Sequence, residues 1–275
     1  MRDTGGRGLR AGAVLAAAGV LLLAGCSSGG GGGDGKPSRT ATPGASASAT
    51  RTPAPTPTPT GPDFTPDPAK APRDTAAAQR LALATVAGPD DWGPEYVKRA
   101  RFLSDPGAWP VLDGDCTWEE RALPRDVLYS VTAYSEIPAA GRKGPLRVAA
   151  TVTVHRTESD ADWEMAGTLE EALRCPEQQL RQGERISGLI SLAVPYGVSN
   201  NTYAVDTLLE RGSYLNDAFK GPQFYTWMQS RVGQATVAVV VKGGPGYTEA
   251  DVTTAQARAS IVMQDRVKKQ LGVQS

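Results

Sequence analysis

The chain has 275 residues, 40% of them hydrophobic, with 29 basic and 29 acidic side chains in balance. Without residues 1–25, which hold Arg2, Arg7, Arg10 and Asp3, 26 basic and 28 acidic residues remain, with no basic run among them. Such a near-neutral composition excludes an electrostatic footprint for nucleic acid and a polybasic patch for anionic lipid.

In chain order, the basic residues at the start are followed by an apolar stretch from Ala11 to Ala24. This is the arrangement of a secretory signal, and at about 14 residues it falls short of the roughly 20 that a helix needs to span a bilayer. The stretch ends in Leu23-Ala24-Gly25-Cys26, which resembles the lipobox of bacterial lipoproteins. The resemblance implies cleavage before Cys26, diacylglycerol on its thiol, and life on the extracytoplasmic face of the cell membrane, with the membrane itself as a partner through the lipid. Residues 1–25 are then the signal peptide, and residues 26–73 a disordered tether. The tether carries the glycine run Gly29 to Gly33 and the alternating Pro53, Pro55, Pro57 and Pro59. It has too little apolar surface to offset the entropy of folding, and its prolines favour extended polyproline II. Thr52, Thr56, Thr58 and Thr60 are candidate O-glycosylation acceptors.

Residues 74–275 are long enough for one domain with its own core. Asp74 is placed to cap a helix running to about Ala87, with Gly88 and Pro89 as its stop. The section from Asp90 to Pro124, rich in Pro, Gly and Trp, reads as loop over the core. Val127 to Ser135 and Leu146 to His155 read as a hairpin. In the second strand Val148, Ala150, Val152 and Val154 share one face, while Arg147, Thr151, Thr153 and His155 share the other, polar one. Thr157 and Asp160 form a capping-box pattern that opens a helix to Cys175, with Trp163, Ala166, Leu169 and Leu173 as its apolar stripe. Strands follow over Thr202 to Leu209, Phe224 to Val232 and Ala235 to Lys242, the last two joined by Gly233-Gln234. Thr248 and Asp251 repeat the capping pattern for a final helix toward Leu271. The pattern predicts an α+β fold: an antiparallel sheet with helices packed on one face, a single domain.

Cys116 and Cys175, the cysteines that remain after Cys26, form an even pair in an oxidising compartment and predict a disulfide staple. No nucleophile elbow, HExxH or Walker loop is present, and the lone histidine, His155, falls on a polar strand face. Asp113-Gly114-Asp115 departs from the calcium-loop pattern at its next positions. Asp90-Asp91 and Glu170-Glu171 read as solvated faces. No cofactor or metal is expected, and the chain reads as a non-enzymatic ligand-binding or sensor module; the alternatives are a structural lipoprotein that docks other envelope proteins, and a hydrolase using His155 or a carboxylate pair. The candidate ligand face is Tyr225, Trp227, Gln229 and Arg231, which alternate along one strand. Rings with an amide and a guanidinium suit a sugar or peptide. The alternative is that Tyr225 and Trp227 are core under a helix, with Arg231 at the rim.

The alternating strand and acid-capped helix from Val148 to Cys175, the terminal strand from Ala235 with its Gly-rich turn and Ala-rich helix, the lipobox and the Pro/Thr tether together resemble the PknH-like extracellular domains of actinobacteria. That resemblance implies an α+β sandwich with a cleft and a role in sensing an envelope ligand or protein. Domains of that type often carry two disulfides, and only one pair is available here.

Overall fold

A computed structural model describes residues 64–198, 201 and 204–274. The signal segment, Cys26 and most of the tether lie outside the described residues. In chain order the elements are β1 (Phe64–Pro66), α1 (Thr75–Thr85), α2 (Pro89–Trp92), β2 (Val97–Leu103), β3 (Ala108–Leu112), β4 (Trp118–Ala122), β5 (Val127–Ile137) and β6 (Leu146–His155). They continue with α3 (Glu158–Arg174), β7 (Gln178–Arg181), β8 (Glu184–Ala193), β9 (Asp206–Asn216), β10 (Gln223–Val232), β11 (Ala235–Lys242), α4 (Glu249–Leu271) and β12 (Gly272–Gln274). Eight strands form one antiparallel sheet in the order β2-β5-β6-β11-β10-β9-β8-β7, and β1–β12 and β3–β4 are separate two-stranded ribbons.

Local chemistry explains the element ends. The Asp74 carboxylate accepts from Ala77 N at 2.8 Å to start α1. Thr157 with Asp160, and Thr248 with Asp251, form reciprocal capping boxes on α3 and α4. The β10–β11 turn places Gly233 at φ +60°, a conformation that costs glycine least. After β11, Gly244 passes so close to Pro145 that an added Cβ would lie 2.2 Å from its carbonyl oxygen. The glycines here make a close chain crossing between strand and helix.

The α+β class and the staple hold. Cys116 and Cys175 are disulfide-bonded with Cα atoms 5.5 Å apart, tying the end of α3 to the β3–β4 turn. The arrangement of layers differs from expectation. Val148, Ala150, Val152 and Val154 join Val237, Val239 and Val241 in the main core, against α1 and α4. The opposite sheet face is also covered, by α3, which packs on β6, β8, β9, β10 and β11. That face is neutral enough to bury because Ala149, Ala238 and Val240 interleave with its threonines.

The stripe assigned to α3 is rotated away from the sheet. Ala161, Met165 and Ala172 are buried, while Trp163 and Leu173 are 71% and 72% exposed. Small alanines let the helix backbone approach the strands, and the ion pair of Asp162 with Arg231 and the Cys175 bridge fix its rotation. The section read as loop holds α2, β2, β3 and β4. β2 and β4 expose most of their residues and so lack an apolar alternation, and β3, only five residues long, is interrupted by the exposed Pro110. β7 and β8 also escaped the pattern, because a bulge between Ser187 and Ile190 shifts the side-chain phase of β8. Described residues before Asp74 also pack against the domain. β1 pairs with β12, and Gln234 Nε2 donates to Pro72 O at 2.8 Å.

The sheet is curled. Four strand spacings separate β6 from β8, roughly 19 Å in a flat sheet, yet Arg147 on β6 meets Glu184 on β8 at 3.0 Å. The side carrying α3 is therefore concave. Gly212 permits the close approach: a Cβ there would meet Ser187 O at 3.2 Å.

Candidate functional site

β10 sends Tyr225, Trp227, Gln229 and Arg231 to this concave side. Their register partners are Lys242, Val240, Ala238 and Thr236 on β11, and Gly212, Glu210, Leu208 and Asp206 on β9. The structure thus brings the four together on one face, as the alternation requires, and lays α3 across them. Tyr225, Gln229 and Arg231 are buried and Trp227 is half-buried, so the strip is the floor of a layer beneath a helix.

The three parts of that floor differ chemically. At one end Arg231 pairs with Asp162 of α3 at 2.6 Å and Asp206 of β9 at 3.0 Å. Beside it, Glu164 of α3 shares a 2.7 Å hydrogen bond with His155 Nε2 and accepts one from Thr236 Oγ1 at 2.6 Å. His155 was expected on an exposed polar face and is instead 1% exposed, because α3 covers that end of β6. It is an internal strut between β6 and α3.

The middle of the floor contains Trp227, Gln229 and Glu210, with Glu171 above them on α3. Burial pushes Glu210 up to about 7; the Ser191 hydroxyl opposes that shift and the charge of Glu171 adds to it. Burial also pushes Glu171 up to about 7, against the pull of Arg174 and with help from Glu170 and Glu164. Two carboxyl groups are thereby poised near neutrality, where each can donate or accept a hydrogen bond. At the far end Tyr225 is held well above its ordinary value by burial, then by Glu210, so its hydroxyl stays protonated.

Glu171 and Asp91 depart from the solvated faces that their acidic pairs predict, Glu171 because it lies half-buried on α3. Asp91 in fact makes a bidentate contact with Arg266 at 2.8 and 2.9 Å. Glu210 lies one residue beyond the strand that the sequence predicts over Thr202 to Leu209; β9 continues to Asn216. Asp113 accepts from Asp115 N and Thr117 N, which makes the acidic turn there an internal brace. Among the described residues no group of three or more His, Cys, Asp or Glu is arranged to hold a metal ion, and no helix is long and apolar enough to cross a membrane. A cleft of about 370 Å³ lies elsewhere, between Asp67, Arg73, Arg156 and Glu158.

No protein-family model matches the chain, and no curated protein does. A solved structure of an uncharacterized Mycobacterium smegmatis protein, the Rv0999 ortholog, is similar over 70% of this chain and 99% of its own, with 14% identity and a TM-score of 0.31. At that level the likeness bears on neither fold nor function.

Proposed function

We propose that this chain is a lipid-anchored protein of the extracytoplasmic membrane face whose folded part binds a ligand without transforming it, as a sensor domain of the PknH-like kind would. Leu23-Ala24-Gly25-Cys26 supports the anchor, since two acyl chains on one cysteine give durable attachment. One observation carries the binding half. Trp227 Nε1, Gln229 Oε1 and one oxygen of Glu210 are closed off from bulk solvent with no protein hydrogen-bond partner, on adjacent strands. Unspent buried donors and acceptors each cost about 1–3 kcal/mol. A ligand offering both hydroxyl or amide donors and acceptors recovers that cost, and the indole supplies a stacking face.

The expected result is a saturable change in tryptophan fluorescence on titration with cell-wall glycan or peptide fragments, abolished in Trp227→Ala. No response to any fragment, or an unchanged response in that variant, would remove the strip from consideration. For the anchor, mass spectrometry of natively purified chain should show a diacylated start at Cys26. An unprocessed and unacylated start would overturn it.

A second reading, docking of another envelope protein, is favoured by the outward face of α3, where Trp163 and Leu173 stand free of the core. Its signature is a partner lost with Trp163→Ser and retained with Trp227→Ala.

A further inference from the structure

The Tyr225 end of the floor opens on a ring of charge with an imbalance of sign. Glu184, its side chain 6% exposed, is the hub. It receives Arg147 Nη1 at 3.0 Å, Arg181 Nη2, Lys242 Nζ at 3.5 Å and Asn216 Nδ2 at 3.1 Å. Glu136 lies at ion-pair distance, without a hydrogen bond, from Arg99 Nε at 3.6 Å and Arg147 Nε at 3.9 Å. Two carboxylates therefore serve four cations. Arg101 and Glu120, whose charges bear on the neighbouring Tyr134, add one of each sign beyond the ring. Two aromatic rings complete the lining: Lys242 lies over Tyr214 at 5.5 Å and Arg99 over Tyr134 at 5.8 Å.

A structural ion pair needs one cation per carboxylate, and converging further cations costs stability through their repulsion. That repulsion is present here. The Lys242 ammonium is held below its ordinary range first by burial, and by Arg181 and Arg99 in the same direction, with Glu184 opposing. Arg147 Nε is shut from solvent without a hydrogen-bond partner. The cationic groups nevertheless remain reachable, with side-chain exposure of 56% at Arg181 and 25% at Lys242. A surplus of fixed, partly exposed cations around two carboxylates is the pattern of a site that awaits a further anion.

We infer that the ring formed by Arg147, Arg181, Lys242 and Arg99 around Glu184 binds a phosphoryl oxyanion, carried either by a soluble phosphate ester or by a phospholipid headgroup. The guanidinium forks give it two-point contact with tetrahedral oxygens, and the ammonium adds a point charge. The site adjoins the Tyr225 end of the strip, Lys242 being the register partner of Tyr225, but does not depend on the strip binding anything.

Calorimetric titration of the full chain in neutral detergent tests this, with inorganic phosphate, glycerol 3-phosphate and dihexanoylphosphatidylglycerol as titrants and the corresponding choline lipid as control. Arg181→Ala, at an exposed position, should keep its circular dichroism and weaken phosphate binding about tenfold, the loss of one charge-assisted contact. Glu184→Gln removes the competing anion and should tighten phosphate binding several-fold even where it lowers the melting temperature, a direction that a purely structural role does not produce. Binding of phosphate and glycerol 3-phosphate, with the glycerol lipid no better than the choline lipid, assigns a soluble ester. Tighter binding of the glycerol lipid, lost in Arg181→Ala, assigns a headgroup. Absence of binding to all titrants, or equal phosphate affinity in the native chain, Arg181→Ala and Glu184→Gln, overturns the site. Trp227→Ala should leave these titrations unchanged.

Discussion

Trp92, at the end of α2, is 1% exposed, whereas Trp163 on α3 is 71% exposed. Trp92→Ala should therefore cost roughly 3–5 kcal/mol through lost burial and a residual cavity, and Trp163→Ser should stay within about 0.5 kcal/mol of the native chain. Urea denaturation of the two variants separates these outcomes. Glu171 and Glu210 set a pH dependence at the same scale. Both are pushed from 4.5 up to about 7, mainly by burial. Facing them are Glu164, Glu170 and Arg174 on α3, each other across the layer, and the neutral Tyr225 hydroxyl on β10. Between the two values the folded chain keeps protons that the unfolded chain has released, so stability falls as pH rises through that interval and levels off above it. Glu184 works in the opposite sense. Burial alone would raise it, but Arg181, Lys242 and Tyr214 together hold it below its ordinary value, so its contribution is lost only as pH falls into the acid range. Melting temperature should drop between about pH 5 and about pH 8, and Glu210→Gln should flatten that slope. A flat native profile, or an unaltered slope in the variant, would contradict the assignment.

At the scale of elements, α3 is held at both ends and along its length. Its N-terminus is capped by Thr157, whose hydroxyl accepts from Asp160 N at 3.1 Å. Its middle is tied by Glu164 to His155 and Thr236, and its C-cap residue is Cys175. Thr157→Ala should remove about 1 kcal/mol of stability, as loss of an N-cap does, read as a lower midpoint in urea with an unchanged slope. His155→Ala leaves Glu164 short of a partner beneath the helix, and roughly 2–4 kcal/mol should go with the cavity and the unpaired carboxylate. If the His155 variant were as stable as the native chain, the internal network would contribute nothing to seating α3.

For the molecule as a whole, the bridge joins the β3–β4 ribbon to the helix that roofs the concave side. Reduction releases a loop of 59 residues, which in the chain-entropy description amounts to roughly 4 kcal/mol. Comparing denaturation midpoints with and without reductant measures it. The same treatment should loosen α3 over Trp227 and raise amide exchange along β10. Near-neutral net charge also proves compatible with a strongly uneven charge distribution. The curl gathers Arg99, Arg147, Arg181 and Lys242 from β2, β6, β7 and β11 onto one rim, and no linear run of basic residues announces it.

The features legible in the linear chain are those that neighbours in sequence settle. The capping boxes at Thr157 and Thr248, the Gly233 turn, the face shared by Val148 to Val154, the common side of Tyr225 to Arg231 and the pairing of the two downstream cysteines all follow from local hydrogen bonding, alternation or parity. Three things belong to tertiary structure alone. The covering of both sheet faces buries His155 and turns Trp163 outward, because the rotation of a helix with weak amphipathicity is chosen by its contacts. The poise of Glu171 and Glu210 arises only once α3 removes water from between them. The cation ring exists because the sheet, with its bulge in β8 and the close-packed Gly212 beside it, curls until strands far apart in pairing order bring their charges within reach.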